Sequence, residues 1–348
     1  MNPYVLGTLL SSLGLGTTLT FASSHWLLAW MGLEINTLAI VPLMAQHHHP
    51  RAVEAATKYF LTQATAAAVI LFASTTNAWI TGEWSMTNIS DPVATAMILA
   101  ALALKIGLAP MHFWMPEVLQ GLDLLTGLIL STWQKLAPIA LIIQTAQAFD
   151  PLLLTALALM STLVGGWGGL NQTQLRKVLA YSSIAHMGWM VVVLQYAPQL
   201  TLLALLTYVL MTSAAFLTLK LSSATKIGTL ATTWSKSPPL AAAAALVLLS
   251  LGGLPPLTGF MPKWLILQEL AQQGLPLTAT LMALAALISL YFYLRLCYAM
   301  TLTVSPNITT SAAPWRARTT QAFLPLAFST VMALGLLPIT PTIMVLVA

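Results

Sequence analysis

The stretch LALKIGLAPMHFWMPEV (residues 102–118) interrupts one of the long apolar segments of this chain. Lys105 lies where a membrane helix would be surrounded by hydrocarbon, and Gly107, Pro110 and Pro116 follow it. Proline lacks the backbone N–H that a helix needs and clashes with the carbonyl four residues earlier, so the stretch predicts a broken helix. Inside a membrane, unwound backbone is tolerated only where it lines protein or water. We therefore expect a functional break at membrane depth.

The composition is that of a membrane protein. Of the 348 residues, 58% are hydrophobic and 6% are charged, whereas a soluble domain has about 25% charged residues. Apolar segments of about 20 residues must form helices in hydrocarbon, because every backbone polar group has to be paired internally. We expect an all-α polytopic membrane protein with eleven spans. Their approximate bounds are 3–22, 25–45, 55–80, 93–121 (broken), 124–146, 151–170, 174–195, 200–221, 239–272 (broken), 276–302 and 323–346.

Several kinds of site are not expected. The single cysteine, Cys297, excludes a disulfide framework and an iron–sulfur cluster held by this chain alone. No Gly-rich fingerprint follows a strand pattern, so a site for NADH, flavin or ATP is not expected. His47, His48 and His49 resemble a metal-binding tract, but we interpret them as a solvated interfacial loop and expect no metal site. The basic residues do not cluster into a patch for nucleic acid.

The lysines and arginines fall on one side of this predicted topology. Even-numbered loops and the helix ends beside them carry ten of the 13 Lys and Arg residues, whereas odd-numbered loops carry none. These ten are Arg51, Lys58, Arg176, Lys177, Lys220, Lys226, Lys236, Arg295, Arg316 and Arg318. Because inner loops are enriched in Lys and Arg, we expect the N-terminus on the inner side and the C-terminus on the outer side.

Four ionisable residues, Glu34, Lys105, Lys135 and Lys263, remain near the middle of the membrane within predicted spans. Burying each charge costs about 3 kcal/mol or more, so they require an explanation. The lysines could snorkel to the interface, Glu34 could pair with a lysine and tie two helices together, or the four could form a proton or ion path. The path is favoured, because Lys135 is about eleven positions from either end of its span and no carboxylate cluster is present to hold a hard cation.

Buried amines suit proton transfer. A site of low dielectric favours the neutral form of an amine, and a nearby carboxylate favours the ammonium. A Glu–Lys pair can therefore take up or release a proton when one of the charges moves. His186 and His112 are possible relays, because imidazole titrates near neutral pH. A simple interhelical hydrogen bond explains either histidine equally well.

A second break resembles the first. GLPPLTGFMPK (residues 253–263) aligns without a gap under GLAPMHFWMPE (residues 107–117), and five positions are identical at a constant offset of 146. Pro255, Pro256 and Pro262 predict this second break. The breaks fall in the fourth helix of each of two five-helix sets that run in opposite orientations, an arrangement known in transporters.

These repeats suggest a division of the chain into three parts. We expect a first five-helix repeat over residues 1–148 and a second, inverted repeat over residues 149–304. A loop and a C-terminal helix follow over residues 305–348.

Four motifs together resemble a known family. They are LKIGLAPMHFWMPEV, STWQKLAPI, RKVLAYSSIAHMGW and GGLPPLTGFMPKW, which carry Lys105, Lys135, His186 and Lys263. With Glu34 they are similar to the antiporter-like membrane subunits of respiratory complex I. The closest resemblance is to the NADH–ubiquinone oxidoreductase chain 2 family in its vertebrate mitochondrial form, over essentially the whole chain.

The resemblance implies a place in the mitochondrial inner membrane, in the proton-pumping arm of the complex and beside other antiporter-like subunits. Glu34 and Lys105 would be a coupled pair, Lys135 the central relay and Lys263 the terminal lysine. The inner side would be the matrix and the outer side the intermembrane space. Membrane lipids are expected partners, and NADH, FMN, iron–sulfur clusters and ubiquinone are expected on other subunits. The chain would thus be a subunit of an H⁺-translocating NADH:ubiquinone reductase without its own redox centre or nucleotide site.

Two features keep alternatives open. The wider family typically has fourteen helices, and the three that are missing from our count would be N-terminal and outside both repeats. A stand-alone cation/proton antiporter of the same ancestry, or a membrane scaffold with structural ion pairs, would carry many of the same residues.

Overall fold

The computed structural model describes residues 2–46, 49–302 and 323–347, and this part of the chain is built from 17 α-helices without a β-strand. The predicted all-α class is confirmed. From the N-terminus the helices are Pro3–Ala22 (α1), Trp26–Met44 (α2), Pro50–Thr81 (α3), Pro92–Ile106 (α4), Trp114–Gly121 (α5), Leu124–Ser131 (α6), Trp133–Gln144 (α7) and Pro151–Gly169 (α8). They continue with Leu175–Val193 (α9), Pro198–Ser222 (α10), Ile227–Ala231 (α11), Thr233–Lys236 (α12), Pro238–Gly252 (α13), Phe260–Gln272 (α14), Pro276–Thr301 (α15), Leu324–Gly335 (α16) and Thr340–Val347 (α17).

Seven spans within the described residues are long and apolar enough to cross a membrane. They are α1, α2, α3, the joined pair α6–α7, α8, α10 and α15. The pair α16 and α17, bent by 67°, makes an eighth if it is counted as one span. The other three predicted spans correspond to α9 and to the two broken segments, α4–α5 and α13–α14. The count of eleven therefore stays a prediction.

The chain divides into two compact units, Met1–Ser161 and Thr162–Ala348, with the dividing line inside α8. The predicted division after residues 148 and 304 stays a prediction. Four residues discussed above, His47, His48, Arg316 and Arg318, lie outside the described residues, as does most of the predicted loop that begins at residue 305.

Both predicted breaks are present, and each begins at a glycine. α4 ends at Ile106, where Gly107 adopts φ +85° and donates its N–H to the carbonyls of Ala103 and Leu104. α13 ends at Gly252, and Gly253 adopts φ +80° and donates to two carbonyls of the preceding turn in the same way. This left-handed conformation caps a helix and is strained for residues with a Cβ. The next helices begin seven residues later, at Trp114 and Phe260.

Two of the predicted helix-breaking residues are placed differently. Gly107, Pro110, Pro255 and Pro256 lie at or within the breaks, but Pro116 and Pro262 do not. They occupy the third positions of α5 and α14. In a first helical turn the missing N–H of proline has no partner to lose, so proline there begins a helix rather than interrupting it.

In the first unit, the helices that carry the predicted site residues pack together. α2 packs between α1 and α3, α3 packs against α4 and α5, and α7 contacts α2 and α4. Because α2 carries Glu34, α4 carries Lys105 and α7 carries Lys135, this packing gathers three of the four residues around one interior.

In the second unit, α10 is the central helix. It contacts α9, α13, α14, α16 and α17, while α15 packs against α13 and α14. The short helices α11 and α12 lie in a segment that was predicted as a linker, and they pack on α15 and α13. Lys263 lies on α14, within this group.

Candidate functional site

Lys105 occupies the last turn of α4, immediately before the first break. Its side chain is 6% exposed, and its Nζ has no hydrogen-bond partner within the described part of the chain. A cation in the last turn of a helix is favoured by the carbonyl dipoles at that end. The break therefore places an amine in the interior without pairing it directly.

Lys135 follows a junction that the sequence did not predict. The predicted span 124–146 is divided at Thr132, whose φ of −110° and ψ of −70° separate α6 from α7. Thr132 also turns its hydroxyl onto the carbonyl of Leu128, at 2.7 Å. Lys135 is the third residue of α7 and is 3% exposed, so this amine also lies beside a helix end.

The structure brings Lys105 and Lys135 to one cavity in the first unit. The cavity leaves about 10 Å³ in which the centre of a water molecule can lie, which is about the space that one water needs. Its lining residues are Leu33, Asn36, Thr37, Tyr59, Gln63, Lys105, Ile106, Trp114, Leu130, Gln134, Lys135 and Pro138. The two lysines, 30 positions apart in sequence, therefore share one polar interior.

Three amides complete this cavity, and the sequence analysis missed them. Asn36 and Gln63 are each 2% exposed, and neither Asn36 Nδ2, Asn36 Oδ1 nor Gln63 Nε2 has a hydrogen-bond partner. Gln134 donates from Nε2 to the backbone carbonyl of Asn36, at 3.2 Å. Because buried polar atoms are normally hydrogen-bonded, this lining suits a water molecule that bonds several groups at once. In the sequence, Asn36 is two positions from the predicted Glu34, and Gln134 directly precedes the predicted Lys135. This nearness in sequence is the signal that could have identified the two amides.

Glu34 lies near this cavity but forms no direct pair with Lys105. It is half-buried on α2, and its Oε2 has no hydrogen-bond partner among residues 2–46, 49–302 and 323–347. The carboxylate lies within electrostatic reach of Lys105 and of Tyr59. Lys105 Nζ likewise has no partner among these residues, so the direct Glu34–Lys105 ion pair that would tie two helices together is not formed.

Lys263 spans the second break. It is the fourth residue of α14, and its Nζ donates to the carbonyl of Gly252, the last residue of α13, at 2.9 Å. The last carbonyls of a helix have no partner within the helix, so an ammonium there satisfies one of them. The lysine thus joins the two halves of the broken segment.

Lys263 and His186 line a cavity in the second unit. It leaves about 20 Å³ in which the centre of a water molecule can lie, which is enough for about one water. The other lining residues are Trp189, Met190, Ala204, Thr207, Met211, Gly259, Pro262 and Ile266. His186 Nδ1 lies 2.7 Å from the carbonyl of Ser182, a contact that requires the proton on Nδ1. Of the two histidines proposed as relays, His186 is therefore beside a predicted lysine.

His112 is placed less favourably. It lies in the first break, 4% exposed, with Nδ1 3.3 Å from the carbonyl of Pro110. It packs against the ring of Phe113, and it does not line either of the two cavities described above.

An exposed charged cluster includes the first turn of α5, just after the first break. Lys58 Nζ contacts Glu54 Oε1 and Glu117 Oε2, each at 2.8 Å. All three side chains are exposed. The contact links α3 to α5, and so holds the second half of the broken segment against the long helix.

Comparisons with known proteins identify the family of this chain. The family model described as "NADH:quinone oxidoreductase/Mrp antiporter, TM" matches residues 23–289, and the model "NADH dehydrogenase subunit 2 C-terminus" matches residues 290–344. The chain is similar to NADH-ubiquinone oxidoreductase chain 2 of Carassius auratus, with 82% identity over 99% of both chains. It is 75% identical, with the same coverage of both chains, to the protein of that name from Danio rerio.

Solved structures show the same fold. A chain of respiratory complex I from Thermus thermophilus superimposes with a TM-score of 0.85 and 31% identity, over 98% of this chain and 79% of that one. A chain of the Mrp complex from Dietzia sp. has a TM-score of 0.85 at 17% identity, over 97% of this chain and 76% of that one, which shows the fold alone. The predicted resemblance is confirmed: this chain belongs to the NADH-ubiquinone oxidoreductase chain 2 family, within the NADH:quinone oxidoreductase/Mrp antiporter membrane proteins.

Proposed function

We propose that this chain is a membrane-arm subunit of a proton-pumping NADH:ubiquinone oxidoreductase and moves protons through Glu34, Lys105, Lys135 and Lys263. The names of the relatives support the assignment to the complex, since one of them is 82% identical to this chain. The shared cavity of Lys105 and Lys135 is the observation that carries the role of the residues.

The cavity suits proton transfer because two amines face a space for one water. Two ammonium groups that line one small cavity repel each other, so a proton on one amine disfavours a proton on the other. A water held by Asn36, Gln63 and Gln134 can accept a proton from one amine and donate to the other. Proton transfer between Lys105 and Lys135 then needs no movement of the helices.

Glu34 biases the direction of this transfer. When ionised, its carboxylate favours the proton on Lys105, and when it is neutralised the preference disappears and Lys135 can take the proton. A charge change elsewhere in the complex that reaches Glu34 therefore drives the proton along the cavity. In the second unit, Lys263 and His186 provide the next groups that can exchange a proton through water.

The remaining assignments follow from this role. The chain has no redox centre of its own, and NADH, FMN, iron–sulfur clusters and ubiquinone are held by other subunits. Its partners are the other membrane-arm subunits, neighbouring antiporter-like subunits among them, and membrane lipids. It lies in the mitochondrial inner membrane with its N-terminus in the matrix and its C-terminus in the intermembrane space. The proposed arrangement is eleven spans in two inverted repeats, which the matching glycine caps 146 positions apart support.

Replacement of the cavity lysines by methionine tests this function. In assembled complex, Lys105→Met and Lys135→Met should each lower NADH-driven proton pumping by about tenfold or more, as expected for loss of a proton-transfer group. Methionine preserves the side-chain length but cannot carry a proton. Lys220→Met, the same change at an exposed lysine, is the control and should leave pumping unchanged.

The competing functions give different results. Normal pumping by assembled Lys105→Met and Lys135→Met complexes would remove the proposed path. A scaffold with structural charges predicts that these variants fail to assemble, whereas a stand-alone antiporter predicts that the chain purifies by itself in mild detergent and exchanges cations for protons in vesicles.

A further inference from the structure

The C-terminal helix α16 contacts the second break through a backbone carbonyl. The carbonyl of Ala333 accepts hydrogen bonds from Ser250 Oγ, at 2.8 Å, and from Thr258 Oγ1. Ala333 lies in the last turn of α16, where carbonyls have no partner within the helix. Two side chains from another part of the chain therefore satisfy the end of this helix.

The two hydroxyls form one buried group. Ser250 lies in the last turn of α13, and Thr258 lies within the break. Their oxygens are 3.2 Å apart, and both side chains are essentially inaccessible to solvent. Ser250 Oγ also lies 3.3 Å from Met211 Sδ on α10. We refer to Ser250, Thr258 and the Ala333 carbonyl as the hydroxyl clamp.

The hydroxyl clamp fixes the backbone that leads to Lys263. Gly259 follows Thr258 directly, and a Cβ at this glycine would collide with the backbone carbonyl of Ser250. The break is thus pressed against the end of α13. Gly259 and Met211 also line the cavity that contains Lys263, so displacement of the hydroxyl clamp would change the shape of that cavity.

The first break has no equivalent hydroxyls. At the offset of 146, Ser250 corresponds to Leu104 and Thr258 to His112. The carbonyl of Leu104 is instead satisfied by Trp114 Nε1, at 3.0 Å, from within the same broken segment. The second break is therefore joined to a further helix by buried hydroxyls, whereas the first break is joined to α3 by the exposed Lys58–Glu117 contact.

We propose that Ser250 and Thr258 are positioning residues, through which α16 holds the second break so that Lys263 reaches both the Gly252 carbonyl and its cavity. The inference rests on the proposed function, because it assigns these residues to the Lys263 part of the proton path. Neither hydroxyl exchanges a proton with the path. They determine where the Lys263 amine lies.

Thr258→Val tests the hydroxyl clamp, because valine keeps the branched shape and removes the hydroxyl. In assembled complex, proton pumping per electron should fall about fivefold, the change expected for one lost hydrogen bond. In a structure of the variant complex, Lys263 Nζ should no longer lie at hydrogen-bond distance from the Gly252 carbonyl. Thr258→Ser, which retains the hydroxyl, should restore both.

Thr218→Val is the matched control. Thr218 is equally buried in the second unit, but its hydroxyl donates only to Ala215 of its own helix, at 2.9 Å. This variant should pump normally. If Thr258→Val does not assemble, normal assembly and pumping by Thr258→Ser still support the inference, and equal defects in the two variants overturn it.

Two results separate this inference from the proposed function. Normal pumping in Thr258→Val, with the Lys263–Gly252 contact intact, overturns the hydroxyl clamp and leaves the path through Lys105 and Lys135 standing. Normal pumping in Lys105→Met and Lys135→Met overturns the path. In that case the Lys263–Gly252 distance in Thr258→Val still decides whether the hydroxyls position the lysine.

Discussion

The two broken segments share a backbone but differ in where they carry charge. Each ends a 15-residue helix at a left-handed glycine, and each resumes as a helix seven residues later. In the first, Lys105 precedes the break and its amine is unpartnered. In the second, Lys263 follows the break and its amine bonds a helix-end carbonyl.

The comparison shows that similar backbone geometry supports different uses of an amine. The position that corresponds to Lys263 in the first segment is Glu117, which contacts exposed Lys58 rather than the interior. The first segment thus exposes a carboxylate in the first turn of α5 and buries, in the last turn of α4, an amine that has no hydrogen-bond partner among the described residues. In the proposed path, the second segment uses Lys263 both to join α13 to α14 and to transfer protons, so its replacement should have two separable effects.

The largest expected difference concerns stability. Lys263→Met should lower the free energy of unfolding by about 1–3 kcal/mol, because the Gly252 carbonyl loses a buried partner. Lys105→Met should leave stability unchanged or raise it, because an unpaired buried amine is itself unfavourable. Thermal inactivation midpoints of the two purified complexes measure this difference.

Lys263→Arg separates the two roles of this residue. Guanidinium keeps the donors and the charge but does not give up its proton. We expect Lys263→Arg to be more stable than Lys263→Met but to pump protons as poorly as Lys263→Met does. Equal stability of Lys105→Met and Lys263→Met would show that the two amines contribute alike, which would contradict the difference between the two broken segments.

The glycines that start the breaks should differ by a smaller amount. Alanine at a left-handed position costs about 1–2 kcal/mol, so both Gly107→Ala and Gly253→Ala should destabilise. A Cβ at Gly253 would lie 2.8 Å from Lys263 Nζ, whereas one at Gly107 would lie 3.2 Å from Met115 Sδ. Gly253→Ala should therefore also reduce pumping, and parallel assays of stability and pumping would detect this.

Gly228→Ala serves as the control for these glycine variants, since a Cβ there has nothing within 4 Å and the residue is helical. It should be neutral in both assays. A greater loss of pumping in Gly107→Ala than in Gly253→Ala would contradict the link between the second glycine and Lys263.

The smallest effect is expected at the exposed end of the first segment. Glu117→Gln removes one of two carboxylates around Lys58, and exposed ion pairs contribute little. Pumping should stay within about twofold of the parent, and any change should shrink as salt is raised. Glu54→Gln, which removes the other carboxylate, should have the same small effect on pumping. A loss as large as that of Lys105→Met would place Glu117 in the path.

The sequence predicted features with strong local signals. Prolines close together in an apolar segment indicate a break, and a lysine in an apolar segment is conspicuous because its burial is costly. Hence both breaks, and the positions of Lys105 and Lys263 on either side of them, could be predicted. The roles of Pro116 and Pro262 were wrong because proline stops a helix or starts one, depending on its position in the turn.

Features that depend on tertiary packing could not be predicted. Asn36 and Gln63 are ordinary polar residues until helix packing brings them to one cavity. The junction at Thr132 carries neither glycine nor proline, so its backbone is set by its neighbours. The role of the Ala333 carbonyl has no sequence signature, because every residue has a carbonyl. The end of α16 leaves this carbonyl available as an acceptor for Ser250 and Thr258.

The small size of the two cavities has a consequence for the membrane itself. A site with room for about one water cannot hold a continuous column of solvent. Neither cavity therefore forms a continuous water-filled pore. In the proposed path, protons would pass through single waters and side chains, so the chain could transfer them without a leak that dissipates the electrochemical gradient.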